Sequence, residues 1–194
     1  MVAQESDFQT WTSAGMKKKI NKKLDFQLSQ ELRLKNNSTQ LNSTFTDIGF
    51  KYKLLKNLSG GIYYRLIISP DALAHRPYAD VSYEIDIEKW SIQPRLRFQH
   101  QVQQNELAKN YFRPKTTVSY QVKKEWKPFV AAEIFYHAFY NQGNQFDEYR
   151  LSTGLEYDFK KQHSIKLYYL FGQQFNVNNP LQRHVAGLAY EYDF

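Results

Sequence analysis

Residues 149–159 read Tyr-Arg-Leu-Ser-Thr-Gly-Leu-Glu-Tyr-Asp-Phe, a stretch in which apolar and polar side chains alternate. A period of two is typical of a β-strand whose two faces meet different surroundings. Ten further segments repeat the pattern, some less regularly, at residues 8–18, 24–34, 44–54, 59–69, 80–87, 92–99, 112–123, 128–140, 165–172 and 187–194. No segment has a helical period. The sequence therefore predicts an all-β fold.

The segments and the connections between them favour a membrane barrel. Most segments are about 10–13 residues long, which exceeds the ~5–6 residues of typical globular strands and suits a tilted strand that crosses a bilayer. Short basic connections, such as residues 19–23, alternate with longer ones rich in Asn, Gln, Ser or Pro, such as residues 70–77. We predict a single closed antiparallel transmembrane β-barrel, with short basic periplasmic turns and longer polar outer loops.

The composition limits the classes of protein to which the chain can belong. It has 194 residues, a net charge of +7 and no cysteine, which excludes a disulfide scaffold, a thiolate zinc site and a cysteine nucleophile. Aromatic residues make up 16% of the chain, too many for a disordered protein. No stretch is apolar enough for a membrane-spanning helix. We expect a barrel domain at residues 8–194, preceded by a remnant of signal-peptide cleavage at residues 1–7.

Three observations place the polar face of the barrel inside and its apolar face in lipid. Glycines such as Gly61, Gly154 and Gly187 lie in phase with polar residues, where a crowded lumen needs room for neighbouring side chains. Aromatic residues of the apolar face lie near strand ends, as in the girdles at membrane interfaces. Opposite charges on neighbouring strands would neutralise one another in a narrow lumen. The alternative is a soluble, lipocalin-like binding barrel with its polar face outside.

The number of segments is odd, although single-chain bacterial barrels have an even number of strands. Three explanations are open. The residues before the first segment rise through the lumen, one hairpin is miscounted, or the first and last strands close in parallel. We expect about ten or twelve strands, which enclose only a narrow lumen.

Charged side chains on the polar face are the candidate binding residues of the lumen. They are Arg65, Asp80, Glu84, Arg95, Arg97, Glu133, His137, Arg150 and Glu156. The carboxylates of residues 80–86 are expected to neutralise the arginines of the next strand. His137 and Glu133 lie four residues apart on one face and could exchange a proton, although a hydrogen bond within the lumen is the commoner arrangement.

The histidines give no recognisable catalytic or metal site. A hydrolase needs a histidine within reach of a serine nucleophile, and His100 and His184, on the apolar face near the loop end, have no such serine on their own strands. His75 is expected in a loop and His163 in a turn. No cluster of His, Asp and Glu has the spacing of metal ligands. We predict no enzyme, no cofactor and no metal, with a lipid-modifying outer-membrane enzyme as an alternative.

The predicted role is structural or binding, with a lumen largely filled by charged and aromatic side chains. A narrow small-solute channel is the alternative, since this number of strands leaves little open space. The excess positive charge lies at turns that are separated by strands, and no aromatic platform interleaved with arginine accompanies it, so nucleic acid is not an expected partner. The expected partners are outer-membrane lipid and an outer-membrane or periplasmic protein.

An ordered set of short motifs gives the sequence a more specific resemblance. The set includes DFQTWTS at residues 7–13, KKINKK at 18–23, GIYYR at 61–65, RLRFQH at 95–100 and YRLSTG at 149–154. In this order the motifs resemble a family of small outer-membrane β-barrels of unknown function from Bacteroidota-type Gram-negative bacteria. The aromatic carboxyl terminus, residues 190–194, resembles the signal by which such barrels are recognised for insertion. The resemblance implies a bacterial outer-membrane location and no established activity.

Overall fold

The computed structural model describes residues 5–160 and 162–194, and its regular structure is β-strand throughout. The strands are β1 (Glu5–Lys19), β2 (Leu24–Lys35), β3 (Gln40–Lys53), β4 (Leu58–Ser69), β5 (Ala72–Tyr83), β6 (Ile85–Ile87), β7 (Trp90–Gln103), β8 (Lys109–Tyr120), β9 (Trp126–Ala138), β10 (Gln145–Phe159), β11 (His163–Gln174) and β12 (Leu181–Asp193). β6 continues β5 after a break at Glu84, and both pair with β7. Among the residues described, no helix is long and apolar enough to cross a membrane.

The sheet closes into a barrel whose wall has eleven strands when β5 and β6 are taken as one. β5 pairs with β7, and β1 pairs with β12 in parallel, from Glu5 opposite Leu181 to Lys17 opposite Asp193. All other neighbouring strands are antiparallel. When successive strands reverse direction, an odd number of them makes the first and last point the same way. The all-β barrel is confirmed, and parallel closure explains its odd number of strands.

The first strand begins earlier than the predicted barrel domain. β1 starts at Glu5, and the carboxylate of Asp7 accepts hydrogen bonds from the side-chain amide of Gln9 and the backbone N–H of Asn37. Residues 5–7 therefore belong to the wall and do not rise through the lumen. The rest of the expected cleavage remnant, residues 1–4, lies outside the described residues.

The connections at the two ends of the barrel differ less in length than expected. Among the described residues, the turn end has 20–23, 54–57, 88–89, 121–125, 160 and 162, and the loop end has 36–39, 70–71, 104–108, 139–144 and 175–180. The predicted loop at residues 70–77 is wrong, because β5 begins at Ala72 and includes His75, Arg76 and Pro77. Proline has no N–H to donate, and the β5–β7 pairing is interrupted between His75 and Tyr78.

The two faces of the wall differ as predicted, with apolar side chains outside and polar side chains inside. Leu167, for example, is 58% exposed on the outer surface. The inner face is crowded, because a Cβ on Gly187 would lie 2.0 Å from Cζ of Tyr168 and a Cβ on Gly61 would lie 2.5 Å from Cε2 of Tyr63. These glycines make room for tyrosine rings in the lumen. An apolar exterior around a polar interior is typical of a barrel in lipid.

Replacing Leu167 by Arg tests this assignment of faces. Leu167 lies mid-strand, between Leu155 of β10 and Leu188 of β12. We expect Leu167→Arg to lower the free energy of unfolding from lipid vesicles by about 2–4 kcal/mol, the cost of an arginine at the bilayer midplane. Leu55→Arg in the turn at residues 54–57 is the control and should have almost no effect. An equal effect of the two variants would contradict a lipid-facing Leu167.

Candidate functional site

Every arginine of the chain lies on the inner face of the barrel. The eight arginines are Arg33, Arg65, Arg76, Arg95, Arg97, Arg113, Arg150 and Arg183. All of them lie in strands and bind other inward-facing side chains. The planar guanidinium suits this place, because it offers five donors in a fixed geometry and stacks on aromatic faces.

Five of the arginines and four aromatic side chains form a layer across the lumen, which we call the arginine–aromatic ring. In strand order it consists of Trp11, Arg33, Phe45, Arg65, Tyr78, Arg97, Arg113, Phe135 and Arg150. The guanidinium carbon of Arg33 lies 3.6 Å from the Trp11 ring centroid. The guanidinium carbon of Arg150 lies 4.5 Å from the ring centroid of Phe135 and 5.5 Å from the ring centroid of Trp11. The contact with Trp11, on β1, closes the layer. Each such contact stabilises the layer by about 0.5–2 kcal/mol, depending on desolvation.

Carboxylates neutralise the arginines of the ring. Glu133 is shared, since it accepts hydrogen bonds from Nη2 of Arg113 at 3.0 Å and from Nη2 of Arg95 at 2.7 Å. Its two partners lie on β8 and β7, so that one carboxylate links three strands. The arginines with a carboxylate of their own form the pairs Arg33–Glu31, Arg65–Asp47 (2.8 Å) and Arg97–Asp80 (2.7 Å).

A β-bulge places two consecutive carboxylates in the lumen. The β9–β10 register shifts at Asp147, and both Asp147 and Glu148 are buried. Glu148 accepts hydrogen bonds from Arg150 at 2.6 Å and from Arg183 at 2.8 Å, and Asp147 accepts one from the hydroxyl of Tyr111 at 2.7 Å. Five carboxylates thus serve seven arginines as ion-pair partners.

The residues predicted to form the site all lie on the inner face, but in three separate groups. Asp80 pairs with Arg97 as expected, whereas Arg95 binds Glu133 across β8 and not a carboxylate of residues 80–86. Glu84 and Glu156 line a cavity at the turn end, where Lys166 binds Glu156 at 2.8 Å. His137 stands apart from both groups. The members in or beside the ring are Arg65, Asp80, Arg95, Arg97, Glu133 and Arg150.

His137 belongs to an aromatic cluster and not to a pair with Glu133. Its ring stacks between those of Tyr111, at a centroid distance of 4.5 Å, and Tyr140, at 4.2 Å. Its Nδ1 lies 3.5 Å from Oδ2 of Asp147. Because Glu133 is bound by two arginines, the suggested proton exchange between His137 and Glu133 has no geometric basis.

The remaining histidines bind neighbours other than serine. Nδ1 of His100 lies 2.7 Å from Oδ1 of Asn110, Nδ1 of His184 lies 2.6 Å from the hydroxyl of Tyr169, and Nδ1 of His163 lies 2.7 Å from that of Tyr190. His75, expected in a loop, lies within β5 and contacts the hydroxyl of Tyr64. Across residues 5–160 and 162–194, no group of three or more His, Asp or Glu side chains could hold a metal ion.

The lumen contains separate cavities at its two ends. The cavity at the loop end, which we call the loop-end chamber, has a volume of about 440 Å³ and shares no lining residue with the turn-end cavity of about 580 Å³. The ring borders the chamber through all five of its arginines. Two carboxylates, Asp147 and Glu148, also line the chamber, against seven cationic side chains: Arg33, Arg65, Arg76, Arg97, Lys109, Arg113 and Arg150.

Several residues of this site are not among those predicted from the sequence. Arg76 is hidden in the predicted loop at residues 70–77, and Arg113 lies in a segment with less regular alternation. One signal was available, since residues 33, 65 and 97 are arginines at a constant spacing of 32 residues, the length of one hairpin. Such a spacing places one arginine at a similar height on every second strand. The other residues missed include the charged side chains Glu31, Asp47, Glu148 and Arg183.

Comparison with known families decides where this barrel belongs. A family model described as a protein of unknown function (DUF2490) matches residues 8–183. The chain belongs to this family. The predicted resemblance to a family without an established activity is thereby confirmed. No protein with a curated description is significantly similar to the sequence.

Two solved structures with a similar fold are porins. The NanC porin, in a rhombohedral crystal form, is 12% identical with a TM-score of 0.57, over 85% of this chain and 86% of that one. The KdgM porin in complex with disordered oligogalacturonate is 15% identical with a TM-score of 0.50, over 88% of this chain and 91% of that one. At these identities the DUF2490 barrel shares the fold of the two porins, and the likeness shows no more than that.

Proposed function

We propose that this protein is a narrow channel for small anionic solutes, with the arginine–aromatic ring as its constriction. The observation that carries the proposal is the lining of the loop-end chamber, where seven cationic side chains face two carboxylates. The carboxylate partners Glu31, Asp47, Asp80 and Glu133 do not line the chamber, so its lining carries an excess of positive charge. A cleft with an excess of one sign of charge raises the local concentration of the opposite ion. The porin fold of the similar structures supports a channel over the structural or binding role.

The same ring argues for a small solute. Barrels of 16–18 strands leave an aqueous channel, whereas about eight strands enclose a lumen that side chains fill. Eleven strands lie nearer the second case, and nine side chains of the ring lie across the lumen. A low conductance and a low limit on solute size follow from this geometry.

The proposed location is the bacterial outer membrane, with lipid around the apolar exterior. We place the lysine-rich turn end in the periplasm and the loop-end chamber at the outer surface, the arrangement of outer-membrane barrels with short periplasmic turns. An anionic solute also accords with the oligogalacturonate named for the KdgM porin structure.

Currents in planar bilayers test the proposed channel. We expect the folded protein to pass a small steady current and, under a KCl gradient, a reversal potential with the sign of anion preference. Lys109→Glu should weaken that preference, because Lys109 lines the chamber. Lys22→Glu, in the turn at residues 20–23, makes the same charge change outside the chamber and should leave the preference unchanged.

Two results would contradict the channel. A folded barrel without current would favour the closed structural or binding barrel instead. A preference for cations would show that the charge of the loop-end chamber does not control permeation. Migration on a gel before and after boiling verifies in both cases that the barrel is folded.

A further inference from the structure

Arg76 differs from the other seven arginines in its partners. Its Nε donates a hydrogen bond to Oε1 of Gln101 at 2.9 Å, and its Nη2 donates to the same oxygen. In the described part of the chain, Arg76 has no carboxylate within ion-pair distance, whereas each of the other arginines has one. Arg76 is half-buried and lines the loop-end chamber. A full positive charge, held by a neutral amide, therefore faces this cavity.

The strand register places a second cation directly beside Arg76. Arg76 of β5 lies opposite Arg65 of β4, and like charges directly opposite each other destabilise a sheet. Asp47 neutralises Arg65 by accepting two hydrogen bonds from its Nε, at 2.8 and 2.9 Å, and accepts none from Arg76. An anion bound here would supply the negative counter-charge that Arg76 lacks among the described residues.

Donors are available around Arg76 for such an anion. Both bonds of Arg76 use Oε1 of Gln101, so that Nη1 of Arg76 and Nε2 of Gln101 have no partner among the described residues. Arg113, which lines the same chamber, also has a buried Nε without a partner in the described structure. Guanidinium and amide N–H groups suit the oxygens of carboxylate and phosphate, which accept paired hydrogen bonds.

We propose that Arg76, Gln101 and Arg65 form a binding site for one small oxyanion, a carboxylate or phosphate group, on the β4–β5–β7 wall of the loop-end chamber. The proposal rests on the proposed anion channel and names its solute class. Charge alone would attract chloride as well. The paired donors of this site select for oxyanions, because they match two oxygens held at a fixed separation.

Equilibrium titration of the folded barrel in detergent tests the site, with inorganic phosphate and acetate as separate probes in a chloride-free buffer. We expect saturable binding of at least one probe to one site per chain. Arg76→Gln should weaken it about tenfold or more, as expected for the loss of a charged hydrogen-bond donor. Gln101→Glu should weaken it as much, because the new carboxylate would neutralise Arg76 in place. Lys22→Gln is the control for loss of one positive charge.

The two variants test the site independently of each other. If Arg76→Gln does not fold, Gln101→Glu still tests the site, since it adds an ion pair. Binding of phosphate alone, acetate alone or both identifies the oxyanion and supports the site. Absence of binding to the wild type, or unchanged binding to Gln101→Glu, overturns it. If the barrel binds phosphate through Arg76 but passes no current, only the proposed channel is overturned. If the barrel conducts but binds neither phosphate nor acetate, only the proposed oxyanion site is overturned.

Discussion

Glu133→Gln is expected to lower the free energy of unfolding by about 3–5 kcal/mol, the cost of removing one partner from a buried ion pair. Glu133 is buried and accepts hydrogen bonds from Arg95 and Arg113. The Nε atoms of both arginines are already buried without a partner among the described residues, so that they have few other acceptors. Two guanidiniums would remain in the lumen with no carboxylate between them.

Equilibrium unfolding in urea from lipid vesicles measures this effect. Glu106→Gln is the matched control, because Glu106 also pairs with a cation, Lys109, at 2.7 Å, but both side chains are largely exposed. Exposed ion pairs contribute about 0–1 kcal/mol, and the control should stay within that range. A loss below 1 kcal/mol for Glu133→Gln would show that water or other groups compensate the arginines.

Tyr78→Ala is expected to increase the single-channel conductance several-fold. Tyr78 packs on Tyr63 with ring centroids 4.8 Å apart, and its ring lies 4.0 Å from the guanidinium carbon of Arg97. Tyr78 and Tyr63 also line a small cavity of about 90 Å³ that shares no residue with the loop-end chamber. Removing one ring should join the two spaces and leave the arginines in place, so that the preference for anions persists.

Tyr83→Ala provides the control for this experiment. Tyr83 lies at the end of the same strand, but it is 45% exposed and is not a member of the ring. The control should keep the wild-type conductance. If Tyr78→Ala also keeps it, the arginine–aromatic ring is not the constriction. If its anion preference disappears, the arginines depend on Tyr78 for their positions, since Tyr78 also donates a hydrogen bond of 2.8 Å to Asp47.

Most of the candidate residues could be found from the sequence, but most of their contacts could not. Alternation places Arg95, Arg97 and Glu133 on the polar face, and each of them lies inside. The partner of Arg95 could not be predicted, because the side chain reaches past β8 to Glu133 on β9. Such a contact depends on strand tilt and on side-chain length. Neither the tilt nor the reach of a side chain across the lumen can be predicted from the alternation of residues along one strand.

The sequence also could not predict where Arg76 lies. Two prolines, Pro70 and Pro77, bracket this stretch and favour a loop. The barrel accommodates Pro77 within β5 at a gap in the pairing with β7. Tertiary pairing on the other side, with β4, holds the strand together there. Arg76 therefore enters the lumen, where the proposed oxyanion site lies.

By itself the sequence determined the all-β class, the approximate number of strands, and which side chains lie on the outer surface of the barrel and which in the lumen. These properties are local, because a period of two assigns each residue to a face whatever its neighbours are. The tertiary structure alone decided the parallel pairing of β1 with β12, the arginine–aromatic ring, and the arginine that is left without a carboxylate. These depend on the register between strands and on contacts across the lumen, which arise only when the sheet closes.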